Sequence, residues 1–294
     1  MINMRIIAVI LSLCLLTTVS PSYARQIKII ASIAPLADFV RQVGGDRVDV
    51  KLLLPPGASP HVFEPTPKAV KDVSGADVFV KIGAGLEFWA EKIIQSSGNK
   101  KLIIVDSSSG IQLIKHHDEH EAHGPSGADP HIWLDPVIAI SIVAKIEKAL
   151  SEADPQGAGV YGKNASAYKE KLSLLDRDIA GRVKTFRIKE YVTFHPAWNY
   201  FSQRYGLRVS GVIEEAPGKE PGPKHIAKII KDIKRTGSNV VFVEPQFNPK
   251  IGEVIAKEAG AKVLYLDPIG GQKGRETYIE MMRYNINAME RAMR

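Results

Sequence analysis

The pattern that most constrains this chain is an alternation of short β-rich runs with helical periodicities, laid down twice, once on either side of a long helical stripe. Runs at 27–31, 48–54, 78–82 and 102–105 read as short strands, the last two of them buried. A helix follows the first, and Thr66 caps another with Pro67 at its first position, where a missing N–H costs nothing. The rhythm resumes with strands at 191–194, 208–211, 240–243 and 263–266. Helical patterns at 198–205, 223–236 and 250–259 separate them, and a last helix is expected over 275–293. Such alternation predicts an α/β fold whose parallel sheets are covered by helices on both faces. Between the halves, Asp135-Pro136 repeats the cap-then-proline device and opens a helix to about 153. After Asp154-Pro155, a stripe of Tyr161, Tyr168, Leu172, Leu175, Ile179, Val183 and Phe186 recurs mostly every three or four residues. A helix of that length can bridge two lobes as a strut, or can simply pack. The chain length suits two domains or one large one.

The N-terminus reads as a secretory signal at 1–24: Arg5, an apolar run over 6–19, and the small-x-small pattern Ser22-Tyr23-Ala24. Cys14 is the only cysteine and lies inside that run. Leu13 precedes it rather than a small residue, so no lipid anchor is expected. Once the signal is removed there is no thiol, which excludes disulfides, Cys-ligated zinc and a Cys nucleophile. Any metal site must be built from His, Asp and Glu. The net charge of +7 would suggest nucleic acid in a cytosolic protein. In an exported chain with dispersed Lys and Arg it reads as surface character, and no nucleic-acid partner is expected.

Five of the 8 histidines fall in one stretch, HHDEHEAHGPSGADPHIWLDP. His116, His117, His120 and His123 sit in a polar, acidic run without apolar periodicity, which predicts a solvated loop. His131 sits in a proline-punctuated turn just before a helix. Elsewhere, His61 follows the strand at 48–54 through a Pro/Gly turn. His195-Pro196 and Asp267-Pro268 come directly after strands of the second half. In open parallel sheets ligands bind beyond the carboxyl ends of the strands, so these four residues are candidates for one site. Three imidazoles and a carboxylate suit a zinc-like ion, and the prolines would pre-organise the loops. Glu64 and Glu244, each followed by proline, are candidates to orient an imidazole. Trp133, Trp198 and Tyr200 would form dry walls.

Each residue also has an ordinary reading. A lone His beside a turn is commonly a hydrogen-bonding loop residue, an Asp before Pro commonly a turn former, and a buried aromatic commonly core. His225, in a lysine-rich helix, reads as a surface residue. The joint placement, two candidates from each half of the chain, is what favours a site.

The motifs GASPHVFEPTP, ADPHIWLDP, FHPAWNYF and LYLDPIG, around His61, His131, His195 and Asp267, resemble those of the metal-binding solute-binding proteins of ABC importers for zinc and manganese, in their zinc-type ZnuA/TroA-like branch. The resemblance spans essentially the whole mature chain in order. It implies an N-terminal α/β lobe at 25–154, a linking helix at 155–188 and a C-terminal α/β lobe at 189–294, with the metal in the cleft between the lobes. It implies His61, His131 and His195 as imidazole ligands. Asp267 is the implied acidic fourth ligand, a position that some members leave to water or to another carboxylate. Manganese-type members carry a carboxylate where this chain has His195, so Zn2+ is expected ahead of Mn2+. The loop histidines become an auxiliary metal collector.

These readings converge on a monomeric periplasmic protein that captures Zn2+ and passes it to the membrane permease of an ABC importer. It would catalyse nothing and bind no organic small molecule. A zinc hydrolase is the competing class. It lacks support from an HExxH pair and would need Glu64 or Glu244 as a base near the metal. An organic-solute binder or metal-dependent adhesin would need a roomier polar pocket.

Overall fold

The computed structural model describes residues 25–115, 127–215 and 218–294. The expected signal at 1–24 and His116, His117, His120 and His123 lie outside the described residues. Among the described residues eight strands are observed: β1 (Ile27–Ala31), β2 (Val48–Leu52), β3 (Val78–Lys81), β4 (Ile103–Asp106), β5 (Glu190–Thr193), β6 (Arg208–Val212), β7 (Val240–Val243) and β8 (Lys262–Tyr265). The α-helices are α1 (Ala34–Gly44), α2 (Pro67–Ser74), α3 (Ala90–Ser97), α4 (Pro136–Ala153), α5 (Ala158–Lys184), α6 (Asn199–Tyr205), α7 (Pro223–Thr236), α8 (Lys250–Ala259) and α9 (Tyr278–Met293). Among the described residues no helix is long and apolar enough to cross a membrane.

The strands form two four-stranded, all-parallel sheets in the orders β2-β1-β3-β4 and β6-β5-β7-β8. Both halves therefore follow one topology, and in each the chain reverses its direction of travel beside the first strand. That reversal opens a crevice at the carboxyl ends of β1 and β3, and of β5 and β7. Side-chain alternation sends successive residues to opposite faces. Ile29, Val78 and Val80 enter a large central core together with Tyr191, Val240 and Phe242 of the second sheet. Ile30 and Phe79 enter a smaller core on the outer face of the first sheet. Val192, Phe194, Val241 and Val243 do the same for the second. Each sheet is thus covered on both faces, as the sequence pattern requires.

The central core is continuous through α5, whose buried residues are Tyr161, Ala165, Tyr168, Leu172, Leu175, Ile179 and Val183. This helix packs on α1 and α4 of the first half and on α6 and α9 of the second. It both bridges and packs, so the two readings of its stripe describe one helix.

Three caps set helix starts that matter later. Thr66 accepts from the Ala69 amide, Asp135 accepts from the Val137 and Ile138 amides, and Thr277 forms a capping box with Glu280. Each such cap is worth about 1 kcal/mol. The Thr277 box explains why the last helix begins at Tyr278 rather than at 275. Two further departures have simple causes. The strand at 102–105 is a sheet edge with Ile104 exposed rather than a buried strand. Helix α3 has no counterpart in the sequence reading, because eight residues with two buried positions give too short a period to detect.

Candidate metal centre

The three candidate histidines arrive from three segments. His61 lies on the loop between β2 and α2, His131 in the turn that leads to a short 3-10 helix at Ile132–Leu134, and His195 just past β5. His131 and His195 are buried, whereas His61 is half-buried. His131 Nε2 stands 3.1 Å from His61 Nε2 and 3.3 Å from His195 Nε2. These are the side chains among the described residues whose ligand atoms group closely enough to hold one metal ion.

Two of the imidazoles are held at their far nitrogen by buried carboxylates. His131 Nδ1 is 2.8 Å from Asp129 Oδ1, which also accepts from the His131 amide at 2.9 Å. His195 Nδ1 is 2.7 Å from Glu244. Burial pushes the Glu244 carboxyl above its ordinary range, while His195 pulls it back. An acceptor at Nδ1 fixes the proton there and leaves Nε2 as a lone pair. With each Nδ1 engaged by a carboxylate, the Nε2 atoms of His131 and His195 face each other 3.3 Å apart, in the orientation two ligands of one cation would take. At about 2.0–2.1 Å from a tetrahedral zinc, two nitrogens stand roughly 3.3 Å apart. The two spacings at His131 fit.

The cavity among these groups has a volume of about 10 Å³ and is bordered by Ser59, His61, His131, His195, Gln246 and Phe247 among others. About one water-sized species occupies such a space. The Phe247 ring lies 5.3 Å from the His195 ring and stacks on Phe194 at 4.8 Å, and Trp133 lies 5.3 Å from His131. These rings supply the dry walls, with Phe247 as an unforeseen member. Tyr200 instead donates to the Asp129 carbonyl at 2.9 Å. Trp198 is buried in the central core.

The structure does not bring Asp267 into the group that converges on the cavity. Its Oδ1 accepts from Gln246 at 2.9 Å and from the Ile269 and Gly270 amides at 3.0 Å each. Its Oδ2 faces Arg275 Nε at 3.2 Å. The Asp-Pro turn folds its own amides onto the carboxylate, with Gly270 in the left-handed region at φ +66°, where an added Cβ would stand 2.9 Å from the Arg275 carbonyl. The turn-forming role of this Asp is therefore present. Glu64 is exposed, and the carboxylate at His131 is Asp129, which the sequence reading did not single out. An acid two residues before the histidine was the available signal. His225 is half-buried rather than at the surface, with Nε2 2.8 Å from the Val212 carbonyl.

A model of the ZnuA family, described as zinc-uptake complex component A, periplasmic, matches residues 29–292. The chain belongs to this family. Its relatives include the zinc-binding protein AdcA of Streptococcus pyogenes, 32% identical over 285 residues that cover 90% of this chain and 55% of AdcA. The chain thus spans about half the length of that ZnuA relative. The high-affinity zinc uptake system protein ZnuA of Bacillus subtilis is 31% identical over 277 residues, covering 90% of this chain and 87% of that protein. The crystal structure of the Zn(II)-bound ZnuA-like domain of Streptococcus pneumoniae AdcA superposes with a TM-score of 0.76 at 31% identity, covering 91% of this chain and 99% of that domain. The pneumococcal AdcA is named a lipoprotein, so the relatives lend nothing to the expectation of a chain without a lipid anchor.

Proposed function

We propose that this chain is an extracytoplasmic zinc-binding protein that captures Zn2+ and delivers it to the permease of an ABC importer. The observation that carries the proposal is the pair of Nε2 atoms 3.3 Å apart, each on an imidazole whose Nδ1 is engaged by a buried carboxylate. His61, His131 and His195 are the imidazole ligands. A water, or Asp267 after its Oδ2 leaves Arg275, supplies an oxygen as the fourth. The zinc-type names of the family and of the relatives support the choice of cargo, as does a nitrogen-rich donor set. Zinc competes with protons for the imidazoles, so affinity falls as the solution becomes acidic enough to protonate them.

The protein acts as a monomer, performs no catalysis and takes no organic ligand. A cavity of about 10 Å³ leaves no room for an organic substrate beside the metal. Glu244 engages His195 Nδ1 at 2.7 Å and Glu64 is exposed, an arrangement that favours metal holding over a hydrolase's base. We divide the chain into lobes at 25–154 and 189–294, joined through 155–188, with His116, His117, His120 and His123 as weaker auxiliary sites.

Competitive titration with zinc and manganese tests the proposal on the unmodified protein, on His195→Ala and on a variant lacking 116–123. Tight zinc binding is expected to survive removal of the loop and to be lost in His195→Ala. Loss on removing the loop, with His195→Ala unaffected, would place the site elsewhere.

A further inference from the structure

The turn that carries His131 belongs in sequence to the first half of the chain, yet several of its buried bonds run to the second. Trp133, fully buried and two residues past His131, donates its indole N–H to the Pro268 carbonyl at 2.7 Å. The carbonyl of Trp133 accepts from the Tyr278 hydroxyl at 2.7 Å. The amide of Tyr278 donates to Asp38 Oδ2 at 2.9 Å, and that same oxygen accepts from Tyr168 of α5 at 2.9 Å. The Tyr278 ring meets Phe39 of α1 edge-on, with centroids 4.8 Å apart. A continuous buried path thus runs from α1 and α5 through Tyr278 and Trp133 to the residue that adjoins Asp267.

We infer that Trp133 and Tyr278 are positioning residues: they hold the His131 turn against the second half at the spacing the metal requires, before the metal arrives. The inference rests on the zinc reading above. The three imidazoles sit on three separate segments, and their nitrogens must meet within a few tenths of an ångström of a tetrahedral spacing. Each segment free to wander would be ordered at the expense of affinity. Core packing needs the area of these two rings but neither the indole N–H nor the hydroxyl. Fully satisfied buried polar networks fix one arrangement of a core, and this one fixes the turn that bears His131.

Tyr278→Phe removes one hydroxyl and leaves the Asp38 bond, which uses the backbone amide, in place. Tyr161→Phe is the control, because its buried ring carries a hydroxyl that donates to Asp154 Oδ2 at 2.8 Å beside Arg47, at the end of the first sheet opposite the crevice. Zinc affinity by chelator competition, zinc dissociation by stopped-flow transfer to a chelator, and thermal midpoints of the metal-free and zinc-saturated forms are measured for each. Loss of one net hydrogen bond corresponds to roughly a three- to tenfold change. Tyr278→Phe is expected to weaken zinc by about that factor, mainly through faster dissociation, and to narrow the gap between the two midpoints. Tyr161→Phe should lower both midpoints equally and leave zinc binding as it was. Trp133→Phe should reproduce Tyr278→Phe, and if it fails to fold the tyrosine variant still decides. Equal lowering of both midpoints by Tyr278→Phe, with affinity and dissociation within about twofold of the unmodified protein, would overturn this inference alone. A failure of the unmodified protein to bind zinc would overturn the zinc reading, and this inference with it.

Discussion

Asp129 offers the most direct perturbation of the centre that leaves every proposed ligand in place. Its Oδ1 accepts from both the amide and Nδ1 of His131, at 2.9 and 2.8 Å, and its Oδ2 accepts from Asn199 Nδ2 at 3.0 Å. Asp129→Asn keeps an acceptor for Nδ1, because Asn199 can present the other end of its amide, and removes only the charge. Asp129→Ala removes these three bonds and frees the imidazole to rotate or to carry its proton on Nε2, the proposed ligand atom. Groups that orient a metal-bound histidine are typically worth 10–100-fold in affinity, or about 1.4–2.8 kcal/mol. The Asn variant should lie near the lower end and the Ala variant near the upper. Competition against a fluorescent zinc chelator gives the affinities. Nitrogen-15 NMR of the metal-free protein reports which ring nitrogen of His131 is protonated. A folded Asp129→Ala protein with unchanged zinc affinity would refute the claim that the carboxylate prepares the imidazole.

Asp267→Ala should weaken zinc less than His195→Ala does, while lowering thermal stability through loss of the bonds from Gln246, Ile269 and Gly270; equal losses of affinity would make Asp267 a full ligand. Buried Glu87 accepts from Ser32 Oγ at 2.6 Å and from the Ile82 and Gly83 amides at 2.8 and 3.0 Å. Glu87→Gln turns a donor towards one of these donors and should cost about 1–3 kcal/mol, read as a lowered urea midpoint at unchanged slope. The bond from Arg182 holds the Glu290 carboxyl below its ordinary range. Its folded pKa is thus lower than its unfolded one, so its contribution to stability is complete above about pH 4.3 and fades as pH falls through the folded value. The stability difference between the unmodified protein and Glu290→Gln should shrink over that acidic window, and a constant difference down to pH 2 would contradict the assignment.

The fold was legible because its two periodicities are strong and its boundaries carry chemistry. Pro67, Pro136 and Pro223 mark helix starts in sequence and in space. The three histidines were legible because each sits in a proline-fixed turn, His61 and His195 after strands and His131 just before a helix. What escaped was whatever depends on which segments meet. Asp129 and Asn199 lie 70 residues apart and bond across the two halves, and nothing local marks the pair. Asp267 shows the converse. Its sequence signal, an Asp-Pro after a strand, serves a turn as well as a ligand, and only the direction of the Ile269 and Gly270 amides separates the two.

Nitrogen donors alone do not select zinc. By the usual affinity order Cu2+ outranks Zn2+ at such a site, so selection must come from geometry and supply. Adjacent nitrogens around a square-planar ion at about 2.0 Å stand roughly 2.8 Å apart, against roughly 3.3 Å for a tetrahedral one. The spacings of 3.1 and 3.3 Å lie nearer the tetrahedral value. Contraction to suit copper would pull His131 from Asp129 and His195 from Glu244, both buried pairs. An octahedral ion such as Mn2+ is expected to be disfavoured differently, since it prefers more oxygen ligands than a cavity of about 10 Å³ holds without widening. Cobalt(II) reads the outcome directly, because its visible absorption is intense in tetrahedral sites and weak in octahedral ones. The cobalt-loaded protein should show the intense bands and lose them on addition of one equivalent of zinc. Weak octahedral bands would mean that the imidazoles spread apart on binding, and geometric selection by a preformed site would then be refuted.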